Sequence, residues 1–429
     1  MQRRSGTVTA PVELKGRTED HLATPGLLAV FADQRPVCVT VAPGNVGRDM
    51  LLGFGLEDSQ MSRDHFELSL AGASLAIRDL RSRNGTFVNG RPLAAEAKVE
   101  LPPGAVVRAG STLFLAVSGL QAFERAPTKI DEGVVVGPRM ATLFMRARGI
   151  GKATDQLFIT GESGVGKELV ATAFHRAEGV SSAPFIAVNC ATIPAGLAER
   201  LLFGARRGSY TGADSDAEGY VQAASGGTLF LDEIAELDRL VQAKLLRFME
   251  TREYFPLGDV KPKRAELRLC LATLKDLGRE VAEGRFRDDL RHRLATPAIA
   301  LPPLRERKDE IPFFVSLSLK GSTVSNSIGF MEKALVSDWP GNVRQLLRCV
   351  DAAVLIAEIE SRHALVPADL PEMEASSIDV AETEETHAPS DDEIRAALES
   401  SGGNVSIAAR SLRISRSKLR RWMEKQPRI

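Results

Sequence analysis

The stretch FITGESGVGKE at residues 158–168 constrains this chain more than any other part of its sequence. An apolar run ending at Ile159 is typical of a short buried strand, glycines follow at 161, 164 and 166, and Lys167 opens a helical pattern. This is the G-x-x-x-x-G-K loop, whose backbone N–H groups and helix N-terminus face phosphate oxygens while the lysine reaches the outer phosphates. The bare pattern leaves one alternative open, a chance glycine-rich turn.

An acidic pair supports the phosphate site. In GGTLFLDE at residues 226–233, the mainly apolar run TLFL places Asp232 and Glu233 at the carboxyl end of a buried strand. Ligands bind at that end of open parallel sheets. We expect Asp232 to hold Mg²⁺ and Glu233 to orient and deprotonate an attacking water. Alone, the pair could equally begin a helix, but it follows the glycine-rich loop at a suitable distance.

The composition bounds the class of protein. A chain of 429 residues is too long for one core, and 44% hydrophobic with 26% charged residues is ordinary for a globular protein. The four cysteines contain no C-x-x-C pair, which argues against a zinc site or a disulfide framework. No apolar run approaches a membrane span, and the first residues lack the apolar core of a signal peptide. We therefore expect a cytoplasmic protein that does not contact membranes.

Residues 25–118 predict an all-β sandwich, because short apolar runs alternate with Gly/Asn/Pro turns. Three turns are distinctive: Gly47-Arg48, SRDH at 62–65 and DLRSRNGTFVNG at 79–90. Together they resemble the forkhead-associated (FHA) domain, which binds phosphothreonine peptides. The resemblance assigns the phosphopeptide site to Arg48, Ser62, Arg63, Arg83, Asn84 and Asn89. It also implies that His65 braces the loops from behind; the alternative is that the Asn-Gly pairs only close hairpins.

After a polar linker at 119–132, residues 133–367 alternate strand and helix patterns, which predicts a mostly parallel α/β sheet. The motifs GESGVGKE, FIAVNCATI, LLFGARRGSYTGAD, GGTLFLDEI, GRFRDDLRHRLA, LPPLRERKDEI and WPGNVRQL follow in order. They resemble the AAA+ ATPase domain, with its small helical lid, of the sigma-54-dependent transcription activators (bacterial enhancer-binding proteins). ATP and Mg²⁺ are the cofactors that this resemblance implies.

The resemblance assigns roles to individual positions. Asn189 would restrain Glu233, and Arg287 and Arg293 would be arginine fingers acting on a neighbouring subunit, which implies a homo-oligomer from dimer to hexameric ring. The nucleotide would be bound by Gly161, Glu162, Ser163, Gly164, Val165, Gly166, Lys167, Glu168 and the lid residue Arg344. Contact with sigma-54 would come from Ser209, Tyr210, Thr211 and Gly212.

Two departures from the family pattern stand out. Leu274 replaces the asparagine of an Ala-Thr-Asn sensor, and leucine cannot hydrogen-bond a phosphate or a water. The stretch before Trp339 is short for a lid, and residues 316–329 are typical of a loop rather than a helix.

The C-terminal part separates its charges. An acidic linker at 368–390 leads into residues 391–429, where basic residues dominate. GGNVSIAARSLRISRSKLRRWM resembles the Fis-type helix-turn-helix, an all-α DNA-binding domain. The resemblance assigns DNA contacts to Arg416, Lys418, Arg420 and Arg421. A basic amphipathic helix for membrane or RNA is the alternative.

The sequence thus predicts a multidomain chain with an FHA sandwich, an AAA+ domain and a helix-turn-helix. The function that follows is a regulator that couples ATP hydrolysis to remodelling of the sigma-54 RNA polymerase holoenzyme, reads a phosphothreonine-containing protein and binds upstream DNA. One alternative is a phosphopeptide- and DNA-binding regulator with weak or lost ATPase activity. A generic AAA+ unfoldase or clamp loader is a third.

Overall fold

The computed structural model describes residues 24–32, 34–72, 74–177, 183–194, 196–209, 214–295, 297–372 and 391–401. The helix-turn-helix residues Arg416, Lys418, Arg420 and Arg421 lie outside this range, as do Tyr210, Thr211 and Gly212. Among the helices described, none combines the length and the apolar character that crossing a membrane requires.

The first domain is a sandwich of two antiparallel sheets, as predicted. Its elements are β1 (Gly26–Ala32), β2 (Arg35–Val41), β3 (Gly44–Val46), α1 (Arg48–Gly53), β4 (Phe66–Ala71), β5 (Ser74–Asp79), β6 (Thr86–Val88), β7 (Arg91–Pro92), β8 (Lys98–Leu101), β9 (Val106–Ala109) and β10 (Thr112–Val117). One sheet has the order β2-β1-β10-β9-β6-β7 and the other β3-β4-β5-β8. Apolar side chains from the two facing surfaces form the sandwich core, around Phe66 and Phe114.

The segment predicted as a polar linker has regular structure. It contains helix α2 (Gln121–Arg125) and strand β11 (Lys129–Asp131). β11 pairs antiparallel with β12 (Val134–Val136), so a small hairpin leads into the second domain.

The second domain is built on a five-stranded parallel sheet with the order β14-β15-β18-β13-β19. Its elements are α3 (Pro138–Ala153), β13 (Gln156–Thr160), α4 (Lys167–His175), β14 (Phe185–Asn189), α5 (Ala198–Phe203), α6 (Tyr220–Ala223), β15 (Thr228–Asp232), α7 (Arg239–Thr251), β16 (Glu253–Tyr254), β17 (Lys263–Arg264), β18 (Arg268–Thr273), α8 (Leu277–Ala282), α9 (Asp288–Leu294) and β19 (Ala298–Ala300). Four of the five strands were predicted; β19, at the edge beside β13, was not.

The sheet is buried on both faces, which explains its near-continuous apolar strands. On one face α3 and α4 cover β13, and on the other α5, α7 and α9 cover β15. The carboxyl ends of β13 and β15 therefore open on the same edge, with β18 between them.

Three helices form the lid: α10 (Ile311–Ser318), α11 (Ile328–Val336) and α12 (Asn342–Ile359). The predicted loop at 316–329 needs correction at both ends. Its first residues complete the last turn of α10, and its last two begin α11, where Ser327 Oγ accepts from Phe330 N. A further helix, α13 (Asp391–Ser400), corresponds to the predicted first helix of the C-terminal domain.

Candidate functional site

The glycine-rich loop joins β13 to α4 at the edge of the parallel sheet. Gly164 has φ +76°, and a Cβ at this position would lie 2.4 Å from the carbonyl oxygen of Gly341 in the lid. Both facts require glycine, because a side chain would meet a left-handed backbone and a close neighbour together. The loop is therefore shaped both by its own turn and by the lid above it.

Lys167 and the acidic pair share one cleft. Lys167 Nζ lies 2.7 Å from Glu233 Oε1 and 3.4 Å from Asp232 Oδ1, and its side chain is only 5% exposed. It also donates to the Gly161 carbonyl at 3.4 Å. The ammonium group of Lys167 thus contacts three oxygen atoms of the protein. The glycine-rich loop and the acidic pair therefore form one polar site.

Glu233 is held in an unusual backbone conformation. Its φ of 57° and ψ of 49° lie in the left-handed region, which a non-glycine residue occupies at a cost of about 1–3 kcal/mol. Its second carboxylate oxygen, Oε2, accepts from the backbone N–H of Leu274 at 3.0 Å. The carboxylate is thus fixed from two sides, by Lys167 and by Leu274.

Leu274 contacts the acidic pair through its backbone and not through its side chain. Its side chain is 51% exposed and apolar, but its backbone N–H, at the end of β18, reaches Glu233. Leucine offers no side-chain hydrogen bond at this position, whereas the backbone hydrogen bond to Glu233 is present.

Asn189 lies beside the acidic pair, since it is in register with Asp232 across the β14–β15 pairing. Its side-chain oxygen accepts from Ala191 N at 2.9 Å and so caps the turn that follows β14. Its role as a restraint on Glu233 stays a prediction.

The lid reaches over the loop through several side chains. The predicted lid residue Arg344 donates from Nη1 to Ser163 Oγ at 3.1 Å. Glu162 accepts two hydrogen bonds from Arg305, at 2.7 and 3.0 Å, which hold the pKa of its carboxyl below the ordinary value. Asn342, fully buried, donates from Nδ2 to Glu162 Oε2 and to the Ser163 carbonyl, both at 3.0 Å.

Sequence reasoning missed Arg305, Arg307 and Asn342. Each lies in a quoted motif, LPPLRERKDEI or WPGNVRQL, from which only Arg344 was selected. Arg307 is 3% exposed and donates to the Val165 carbonyl at 2.6 Å. The sequence did contain a signal for these residues. In both motifs polar residues stand beside prolines and among apolar residues, and buried polar side chains in such segments usually hydrogen-bond a neighbouring loop.

The remaining ATPase residues are spread out. Glu168 is exposed at the start of α4. Arg287 precedes α9 and pairs with Asp289 at 2.7 Å, while Arg293 is exposed on the same helix. In the described part of the chain neither arginine is hydrogen-bonded to the glycine-rich loop or the acidic pair. A role in a neighbouring subunit remains their prediction.

The described residues on either side of the predicted sigma-54 contact, 204–209 and 214–217, are held together by backbone and side-chain contacts. Ala205 bridges Ala217, and Arg206 pairs with Asp216 at 3.0 Å and Asp259 at 3.1 Å. Ser209, the one described member of the predicted sigma-54 contact, lies against Gly258, and its buried hydroxyl has no hydrogen-bond partner among the described residues.

A second candidate site lies on the loops of the first domain, which are joined by backbone and side-chain hydrogen bonds. Arg48 N donates to the Ser62 carbonyl at 2.9 Å, and Ser62 Oγ accepts from Arg83 N at 3.1 Å. Asn84 Nδ2 reaches the Gln60 carbonyl at 2.6 Å. The side chains of Arg63, Arg83 and Asn84 are exposed, and that of Arg48 is 36% exposed. The structure thus gathers the predicted phosphate-binding residues into one patch.

His65 is enclosed behind that patch. Its Nδ1 accepts from Ser62 N at 3.0 Å and its Nε2 lies 3.2 Å from the Gly85 carbonyl, so Nε2 carries the proton. Burial lowers its pKa. This is the bracing position that the resemblance implied, and it favours the neutral imidazole.

Asn89, the last of the predicted phosphopeptide-binding residues, lies in the turn after β6. It has φ 49°, its Oδ1 accepts from Val106 N at 2.8 Å, and its Nδ2 is buried without a partner. The contact of Asn89 with the backbone of a bound peptide stays a prediction, because this donor is buried in the structure.

The nucleotide cleft fits a polyphosphate with magnesium. Lys167 and the loop N–H groups supply positive charge, and the Asp232 carboxylate is 24% exposed beside them. No group of three or more His, Cys, Asp or Glu side chains able to hold a metal occurs among the described residues. An ion at Asp232 would take its other ligands from water and phosphate, which is how Mg²⁺ is usually bound.

Comparison with protein families identifies three regions. Residues 45–110 match the FHA domain, residues 134–300 match the sigma-54 interaction domain, and residues 391–425 match the bacterial regulatory protein, Fis family. The three matches follow the order that the sequence motifs predict.

Individual relatives agree with these matches. Regulatory protein LuxO of Vibrio cholerae is 39% identical over 63% of this chain and 64% of its own length, and transcriptional regulatory protein ZraR of Escherichia coli is 38% identical over 66% of each. The chain spans about half to two thirds of the length of such relatives. Crystal structures of NtrX from Brucella abortus with ADP and with ATP are 28% and 29% identical, each with a TM-score of 0.51 over 68% of this chain and 69% of theirs.

The order of the matched domains and the named relatives indicate the same family. The cleft around Lys167 is consistent with it. This chain belongs to the sigma-54-dependent transcriptional regulators, with an FHA domain ahead of its sigma-54 interaction domain and a Fis-type segment after it.

Proposed function

We propose that this protein hydrolyses ATP to remodel sigma-54 RNA polymerase holoenzyme, under control of a phosphothreonine signal read by its FHA domain. The observation that carries the proposal is the cleft in which Lys167 lies between Asp232 and Glu233, beneath Arg344 of the lid. NtrX, which shares the fold, has been crystallised with ADP and with ATP.

The hydrolytic roles follow from charge and position. Lys167 exchanges its carboxylate partners for the β- and γ-phosphate oxygens when ATP binds, which releases Glu233 to accept a proton from the attacking water. Asp232 is the residue that would hold Mg²⁺, which neutralises charge on the phosphates. Leu274 N–H keeps Glu233 oriented, and Arg344 and Ser163 contact the nucleotide from the lid side.

Several parts of the proposal concern other molecules. Arg287 and Arg293 reach the nucleotide of a neighbouring subunit, so the active form is an oligomer. Residues 209–212 contact sigma-54, the C-terminal segment binds upstream DNA, and Arg48, Ser62, Arg63, Arg83 and Asn84 bind the phosphate of a phosphothreonine. All of this takes place in the cytoplasm, with no membrane involved.

The test is promoter opening by sigma-54 holoenzyme with the unaltered chain and with Lys167→Ala, in parallel with ATP turnover. We expect ATP-dependent opening and turnover from the first and neither from the second. Absence of turnover by the unaltered chain at high protein concentration would remove the enzymatic part.

One observation favours a second candidate, a phosphopeptide- and DNA-binding regulator with weak or lost ATPase activity. Leu274 leaves the cleft without the polar sensor side chain. Tight ATP binding without hydrolysis, together with intact DNA binding, would select this candidate.

A further inference from the structure

Three central strands of the six-stranded FHA sheet, β1, β9 and β10, are buried on both of their faces. Along β1, β9 and β10, alternate residues belong to the sandwich core, as the period of a strand requires. The residues between them belong to the same apolar cluster as the lid helices: Leu28, Val30, Val106, Leu113 and Leu115. An antiparallel sheet of a free-standing module would present polar side chains on that outer face.

The lid supplies the other half of this cluster. Helix α10 lies against β2, and α11 lies against β9 and β10. Trp339, Phe330 and Val350 are completely buried in the cluster that they share with the FHA strands. The FHA sheet therefore covers one side of the lid.

An ion pair fastens the two parts. Arg108 Nε on β9 donates to Glu332 Oε2 on α11 at 2.8 Å, and the two side chains are 23% and 12% exposed. The same guanidinium lies 3.7 Å from the centre of the Phe87 ring, which fixes its direction. The contact is thus partly desolvated and well oriented.

Four successive residues join the FHA domain, the linker and the nucleotide loop. Arg307 donates to the Val165 carbonyl in the loop, and Lys308, 3% exposed, lies 3.4 Å from the Gly104 carbonyl of the FHA domain. Asp309 accepts from Thr128 of the linker at 2.5 Å, and Glu310 accepts from Gly137 N at 3.1 Å. A shift of the FHA domain would displace this run and the loop carbonyl bound to it.

We propose that the FHA sheet is a working part of the ATPase lid, and that its seating on α10 and α11 sets the affinity of the cleft for nucleotide. The inference rests on the proposed ATPase function, because it concerns the regulation of that cleft. Arg305, Asn342 and Arg344 hold the loop from the lid, and the FHA sheet holds the lid from the opposite side.

The interface between the FHA sheet and the lid contains a cysteine whose reactivity can be measured. Cys38 on β2 is half-buried against the shared cluster, and its surroundings include Thr128 and Asp309. Its alkylation by N-ethylmaleimide, followed by peptide mass spectrometry, measures how often the FHA sheet separates from the lid. Cys270, buried in the ATPase sheet, is the internal control.

The experiment compares full-length unaltered protein, Glu332→Gln and the charge exchange Arg108→Glu with Glu332→Arg. Glu67→Gln is the matched control, since Glu67 pairs with Arg78 at 2.7 Å on the other FHA sheet. Binding of a fluorescent ATP analogue is measured beside Cys38 alkylation. We expect Glu332→Gln to weaken nucleotide binding about three- to tenfold and to speed Cys38 alkylation, because the hydrogen bond from Arg108 then ends on an uncharged acceptor. The charge exchange should recover part of both effects.

Nucleotide in the unaltered protein should slow Cys38 alkylation without any substitution. Equal nucleotide affinity and equal Cys38 rates in Glu332→Gln, Glu67→Gln and unaltered protein would overturn the inference, as would saturating nucleotide that leaves Cys38 unprotected. Absence of nucleotide binding by the unaltered chain would overturn the proposed function instead. The Cys38 rates of the variants would then still decide whether the sheet covers the lid.

Discussion

Lys167 and Glu233, from the two phosphate-site motifs, form an ion pair 2.7 Å long whose side chains are 5% and 11% exposed. A buried lysine needs such a partner, because an unpaired charge there would be costly. In the proposed function the pair would compete with ATP, since the same ammonium group would turn to the phosphates. Release of Glu233 and capture of nucleotide would then be one exchange.

This exchange predicts opposite effects of Glu233→Gln on binding and on chemistry. The uncharged amide competes less for Lys167, so affinity for an ATP analogue should be equal or higher. Loss of the general base should lower turnover by about 10²- to 10⁴-fold. Steady-state hydrolysis and analogue titration measure the two quantities. Glu236→Gln, which removes the partner of Lys275, is the control; unchanged turnover in Glu233→Gln would exclude the assigned base.

Leu274→Asn should raise ATP turnover. The side chain is 51% exposed, so the polar group needs no burial, and the backbone N–H to Glu233 remains available. Such a surface change should alter stability by less than about 0.5 kcal/mol. Turnover and thermal unfolding are measured together, with Leu240→Asn, 75% exposed on α7, as the matched substitution. No gain in turnover would mean that the backbone contact alone serves the cleft.

The two motifs predicted that Lys167 and the acidic pair lie together, and the structure places them in one cleft. A glycine-rich loop after one strand and an acidic pair after another must meet when the strands are parallel neighbours of a common partner. The lid contacts of Asn342 and Arg305 were not predictable in this way. They depend on how α12 and the segment after β19 are seated on the loop, which the spacing of residues does not determine.

The seating of the FHA sheet left a signal that was not used. Strand β4, FELSL, alternates apolar and polar residues, which is typical of one covered face. Strands β1 and β10, GLLAVFA and TLFLAV, are apolar almost throughout, and almost every residue is buried. Continuous apolar character in an antiparallel sheet indicates cover on both sides. The partner that provides the cover could not be named from the sequence.

Gly47→Ala should separate the phosphopeptide loops. A Cβ at Gly47 would lie 1.7 Å from the Arg63 carbonyl oxygen, so one loop must move. We expect loss of phosphothreonine-peptide binding and destabilisation of the FHA domain by about 1–3 kcal/mol, as for other overpacked sites. Gly53→Ala is the control, because no atom lies within 4 Å of its Cβ position. Binding to an immobilised phosphothreonine peptide library and thermal unfolding test this; full retention of binding would contradict the predicted site.

His65 should make the FHA domain sensitive to mild acid. Burial holds the pKa of His65 below its ordinary value, and Nδ1 must stay unprotonated to accept from Ser62 N. The unfolded chain therefore binds the proton more readily than the folded one. The contribution to stability is complete above the unfolded pKa of about 6.5 and is lost as pH falls below it.

His65→Gln removes this titration while an amide can still hydrogen-bond in the space. The difference in unfolding free energy between unaltered protein and His65→Gln should shrink from pH 7.5 to pH 5, because only the unaltered protein loses stability by this route. Phosphothreonine-peptide binding should weaken over the same range, since Ser62 is released. His292→Gln, an exposed histidine on α9, controls for general titration. A difference in stability that does not vary with pH would mean that folding leaves the pKa of His65 unchanged, and would contradict this prediction.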